Sequence, residues 1–182
     1  GTITPSDNTV SIAKLTATGT KDATTFLRGD NTFVPAGGTN TPAFLANLGS
    51  DQTISASTIT KAQIGTEVYD TDGNYDNSTN YRFTPTTAGK YFVYGAIFNN
   101  WTTNWGSIQN IYIYKNGSSI AIWNNAQNTT SSGQYGTLYI ATTVDMNGSS
   151  DYLELFGFSN ATGPQFDSGL SKTYFGAYKL LT

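Results

Sequence analysis

The stretch Tyr81–Asn99, YRFTPTTAGKYFVYGAIFN, limits what this chain can fold into more than any other part of it. A short strand-like piece leads into a Pro/Gly turn, and then into the longest unbroken β-favourable run in the sequence. From Lys90 to Phe98 only Lys90 and Gly95 are not aromatic, β-branched or Ala. Successive side chains of a strand point to opposite faces. Tyr91, Val93 and Ile97 therefore share one face, and Phe92, Tyr94, Ala96 and Phe98 the other. A strand that is apolar on both faces is covered on both. The run predicts a central strand of a β-sandwich whose second face lies against another sheet or another subunit. Tyr91, Phe92, Val93, Tyr94, Ile97 and Phe98 are the candidate core and subunit-seam residues.

The rest of the chain agrees with an all-β reading. Charged residues make up 12% of the 182 positions, about half the usual globular share. Thr, Asn, Ser and Gly fill much of the remainder, as in a protein of strands and many turns. With a net charge of -3 and no basic stripe, nucleic acid is excluded as an expected partner. No apolar run approaches the ~18 to 20 residues of a membrane span. The chain has neither Cys nor His, so thiol and imidazole chemistry, a Cys/His zinc site and a disulfide framework are all absent. Folding in a reducing cytoplasm fits that composition. Asn-x-Ser/Thr triplets such as Asn77-Ser78-Thr79 are expected by chance in so Asn/Ser/Thr-rich a chain. The chain opens on Gly1 rather than Met, as a fragment or processed piece would.

Residues 1–34 are Thr-rich, with too few bulky side chains for a core of their own. Such a segment is flexible or is ordered by winding with copies of itself. Pro35-Ala36-Gly37-Gly38-Thr39-Asn40 reads as a linker. The expected division is a stem and linker over 1–40 and a head domain over 41–182. Strands are predicted at 43–48, 54–59, 63–69, 81–84, 90–99, 108–115, 119–123, 135–146, 151–158 and 172–181, with a hairpin at Lys115-Asn116-Gly117-Ser118. If neighbouring strands alternate in direction, the tight turns at 85–89, 115–118 and 146–151 share one end of the sandwich. The longer connections at 70–80, 99–107, 124–134 and 159–171 then share the other. Long loops on a rigid scaffold are where binding usually resides.

Several pieces together resemble the globular head of the complement first component, the trimeric jelly roll shared with tumour necrosis factor. They are Phe83-Thr84-Pro85, Ala88-Gly89-Lys90-Tyr91-Phe92-Val93, Tyr114-Lys115-Asn116-Gly117, Asp151-Tyr152-Leu153-Glu154-Leu155 and the closing Tyr174-Phe175-Gly176-Ala177-Tyr178. The resemblance spans about residues 42–182 and implies a homotrimer in which an apolar sheet face is buried between subunits. Thr24-Thr25-Phe26-Leu27-Arg28-Gly29-Asp30-Asn31-Thr32-Phe33 resembles a different thing, the TTFLRGDGTW segment of bacteriophage tail fibres, with Asn31 and Phe33 in place of Gly and Trp. A fibre segment feeding a trimeric jelly roll implies the distal tip of a viral fibre, made in the bacterial host cytoplasm and carried on the virion.

Candidate site residues follow. Trp101, Asn104, Trp105 and Trp123 flank the predicted long-loop end, where exposed rings stack on sugars or anchor protein contacts. Trp123 lies on a strand, which favours the core for it, whereas for Trp101 and Trp105, in a polar loop-like stretch, capping the core and exposure weigh equally. Asp70, Asp72 and Asp76 alternate as at the start of a calcium loop, although Gly73 comes too early and no Glu closes it. Complement-type heads bind calcium near the loop end, which makes calcium a possible but not a required cofactor. Asp/Asn/Gly runs also simply make turns. Arg28-Gly29-Asp30 matches a cell-adhesion tripeptide, but it belongs to the fibre segment, where Gly29 serves a turn. A glycosidase needs two acids across a cleft, and no spacing among Glu67, Glu154 and the turn aspartates singles out a pair. The expected function is a non-enzymatic phage receptor-binding tip for a bacterial surface glycan or protein. The alternatives are a polysaccharide-degrading tip, and a structural head fibre or adhesin of the same fold.

Overall fold

The computed structural model describes residues 16–35, 40–103, 108–126 and 136–181, and the chain divides into two compact units, Gly1–Thr39 and Asn40–Thr182. In the first unit, β1 (Thr25–Leu27) and β2 (Phe33–Pro35) form an antiparallel hairpin with Phe26 opposite Val34. Arg28 and Asp30 pair with each other across its turn at 3.4 Å. Phe26 and Leu27 are exposed, in keeping with a segment too poor in bulky residues for its own core.

The second unit is a β-sandwich. Its strands are β3 (Ala43–Asn47), β4 (Gln52–Thr53), β5 (Thr60–Lys61), β6 (Thr66–Asp70), β7 (Tyr75–Asp76), β8 (Arg82–Phe83), β9 (Gly89–Thr103), β10 (Ile108–Lys115), β11 (Ser118–Ala126), β12 (Gly136–Met146), β13 (Leu153–Ser159), β14 (Thr162–Phe166) and β15 (Tyr174–Lys179). One sheet runs β11-β10-β13-β8-β7, with β5 also on β13. In the other, β9 is central: β12 pairs along one side, while β15 and then β14 pair along the other, followed by β3 and β6. The β10–β11 hairpin turns at Asn116 and Gly117, both with positive φ (52° and 78°), as the Asn-Gly signal predicts.

The period-2 reading of β9 holds. Tyr91, Val93 and Ile97 are fully buried between the sheets. They pack with Phe44, which stacks on Tyr75 at 4.4 Å and on Phe83 at 4.6 Å between ring centroids. Leu138 and Ile140 of β12 stand beside them, with Leu138 opposite Ile97.

Three expectations change. The 54–59 strand is absent; its place is taken by the two-residue pieces β4 and β5. Two further strands, β7 and β14, lie where connections were predicted. The first of these moves half of the 70–80 connection. The Thr71 amide donates to Ala43 and the Thr84 amide to Asn74, so residues 70–74 sit at the tight-turn end, and only 77–81 climb the flank. The described parts of the 99–107, 124–134 and 159–171 connections lie at the opposite end, while 104–107 and 127–135 lie outside the described residues.

Candidate functional site

The outward face of the seven-stranded sheet is aromatic, and its geometry follows from register. Phe92 stands opposite Tyr178, Tyr94 opposite Gly176 and Ala96 opposite Tyr174. On the other side of β9, Tyr139 faces Ala96. Tyr94, Tyr174 and Tyr139 each lie across a small residue that leaves room for the ring, while Phe92 and Tyr178 meet ring to ring. A Cβ on Gly176 would fall 2.6 Å from the Tyr94 ring and hydroxyl, which is why β15 carries glycine there. Phe92 and Tyr94 approach to 5.9 Å, and Phe92 and Tyr178 to 5.5 Å. Burial, and then the neighbouring Tyr69 through its charge and a hydrogen bond, push the Tyr94 phenol well above its ordinary value. The Tyr94 phenol is therefore neutral at neutral pH. Among the described residues its centre is half-buried, while Tyr69 and Tyr139 at its margins are 43% and 60% exposed.

At one flank β11 and β12 are the edge strands of the two sheets. Trp123 stands opposite Ile111 and so on the core side of its sheet. Because β11 is outermost, no strand among the described residues covers the ring, and it is 58% exposed. The core placement considered for Trp123 is thus corrected: its strand parity points inward, but the sandwich ends before reaching it.

Trp101 departs from expectation in the opposite sense. The sequence places it in a loop, exposed or capping the core, but β14 pairs along β9 as far as Thr103, with Trp101 opposite Pro164, and its side chain is 8% exposed. Asn104 and Trp105 lie outside the described residues. Beside Trp101, on the outer side of the sheet, buried Asp167 accepts hydrogen bonds from Asn100 (3.1 Å) and Gln165 (2.9 Å) and pairs with Lys172 at 2.9 Å. That cluster fastens β9, β14 and the 167–173 connection together at the long-loop end.

Asp70, Asp72 and Asp76 do not gather. Asp70 accepts from the Asp72 and Tyr75 amides, Asp72 from the Thr71 hydroxyl, and Asp76 from the amides of Ser78, Thr79 and Asn80. Those amides, led by Thr79 and joined by the Asn80 side chain, hold the Asp76 carboxyl well below the usual range. Each acid closes a turn, and no cluster of three metal-ligating side chains exists among the described residues. Of the two glutamates, Glu154 is buried in an ion pair with Lys61 at 2.5 Å, and Glu67 lies on exposed β6.

No protein-family model matches the sequence, and no curated protein does. Solved structures do. A TNF (Eiger) from S. frugiperda aligns over 76% of this chain and 93% of its own at 11% identity, with a TM-score of 0.57. Murine APRIL, in a structure at pH 8.5, aligns over 76% of this chain and 99% of its own at 13% identity, with a TM-score of 0.54. At these identities the likeness is one of fold: the chain carries an all-β, TNF-like jelly roll.

Proposed function

We propose that the chain is the tip of a bacteriophage fibre, a non-enzymatic homotrimer whose jelly-roll head attaches the virion to a glycan on a bacterial surface. The observation that carries this reading is the aromatic outer face of the seven-stranded sheet around Tyr94, with Trp123 exposed on the edge strand β11. A face and an edge that differ make a heterologous contact, and three such contacts close into a ring. Trp123 of one copy packing on the tyrosine face of the next buries both surfaces that a single chain leaves open. The TNF-like fold and the Thr24–Phe33 likeness to phage fibre segments support the same assembly and its place at a fibre end. Three copies of a weak site then bind a repeating surface polymer through avidity.

Light scattering on the full chain tests the assembly. The expected mass is that of three chains, falling to one in Tyr94→Arg, with the β-rich far-UV spectrum kept. A wild-type monomer at tens of micromolar would remove the trimeric tip.

A further inference from the structure

On the flank opposite β11 and β12, the edge strands β6 and β7 leave a cleft of about 440 Å³ between the two sheets. Its walls come from three separate segments: Leu48–Gln52 after β3, Gln63–Thr66 before β6, and Asn77–Tyr81 after β7. The volume lies toward the lower end of the range of ligand sites. The lining is polar and, apart from Asp51, uncharged.

The walls are fixed before any ligand arrives. The Gln52 amide donates to the Lys61 carbonyl at 2.9 Å and accepts from the Gln63 backbone at 2.9 Å. Asp51 accepts from the Ser168 amide and hydroxyl, both at 2.7 Å, and those bonds lower its carboxyl below the ordinary value. Gly49 keeps the cleft open, since a Cβ there would meet the Thr66 hydroxyl at 2.4 Å. Tyr81 holds a positive φ of 49°, a conformation that disfavours an aromatic residue. In contrast to these pinned groups, the side-chain polar atoms of Ser50, Gln63, Thr66, Asn77 and Tyr81 make no hydrogen bond among the described residues.

We infer that this cleft is the seat of a short, uncharged saccharide segment. One aromatic side chain offers an apolar surface to the C–H face of a sugar ring. Neutral amides and hydroxyls around it both donate and accept, as sugar hydroxyls require. The Asp51 charge rejects anionic sugars. The cleft lies on the flank opposite Trp123, and Thr66 on its wall belongs to the strand that carries Tyr69 at the margin of the tyrosine face. That the saccharide belongs to a host surface rests on the fibre-tip proposal above; the cleft itself does not.

The test is saturation-transfer NMR on the full chain with the methyl glycosides of glucose, galactose, mannose and N-acetylglucosamine. At least one is expected to give saturable transfer with a Kd on the order of millimolar, the regime of a single shallow site. Tyr81→Gly, which removes the ring and relieves the positive φ, weakens it at least tenfold. Asn77→Ala with Gln63→Ala, on the cleft rim, does the same and serves should the first variant misfold. Methyl glucuronide is expected to bind only after Asp51→Asn. No saturable glycoside, or unchanged transfer in both variants, overturns the inference. An array of bacterial polysaccharides separates it from the fibre-tip reading. Wild-type binding retained in Tyr81→Gly refutes the cleft and leaves the receptor role standing. Glycoside binding in the cleft without any array binding does the reverse.

Discussion

The two faces of β9 are built from nearly the same amino acids and end in different states. Tyr91, Val93 and Ile97 are fully buried against Phe83, Leu138 and their neighbours of the two sheets. Phe92, Tyr94 and Phe98, one residue out of phase, stop at half-burial even though rings of β15 lie beside them. The first face is completed by the chain that carries it. The second is as apolar as a core, yet the described residues of one chain supply only its side walls and no roof. Hydrophobic composition therefore says that a surface will be covered, and topology decides whether the same chain can do so.

Substitutions on the two faces separate these cases. Ile97→Ala, on the inner face, is expected to lose about 3 kcal/mol of stability. Chemical denaturation should show that loss equally at low and high protein concentration. Tyr94→Ala, on the outer face, is expected to lose about 2 kcal/mol at high concentration. Diluted below the assembly range the loss should shrink, because only the contacts within one chain, with Phe92 and Tyr174, are then given up. Equal losses for Tyr94→Ala at every concentration would place that side chain in the single-chain core. The smallest effect is on pH. Burial raises the Tyr91 phenol from an ordinary 10.0 to about 12, and the Tyr94 and Tyr174 phenols are raised as well. Keeping these phenols neutral stabilises the fold fully below pH 10, and that contribution is lost as pH climbs through the raised values. Alkaline titration by circular dichroism should show the Tyr91 part of this loss vanish in Tyr91→Phe, with the parts from buried Tyr75 and from the outer face remaining.

Elements with a strong local signal were legible in the sequence. Asn116-Gly117 announced its hairpin, and Leu138, Ile140, Val144 and Met146 announced the inner side of β12 by plain alternation. The two-faced character of β9 was equally plain, though its length was not. Asn99, Asn100, Thr102 and Thr103 look like a loop until β14 pairs with them, and β14 itself is disguised by Gly163 and Pro164. Trp123 misled for the converse reason, since parity tells which way a side chain points and not whether the sheet extends far enough to cover it. The β6/β7 cleft has no local signature at all. Its walls come from three segments far apart in sequence, and the positive φ of Tyr81 exists only because the chain turns tightly between β7 and β8.

The head unit is also entered and left at one pole. The Asn40 side chain donates to the Lys179 carbonyl at 2.9 Å, and β3 then runs away from that pole between β15 and β6. Tension applied at Asn40, against an anchor at the long-loop pole, acts along the axis of β3. Ladder bonds stand perpendicular to the strand, so the pull loads both ladders of β3 in shear and strains their bonds together rather than peeling them one by one. Mechanical strength in this unit comes from where its first strand enters, and a five-residue strand held on both sides suffices to supply it.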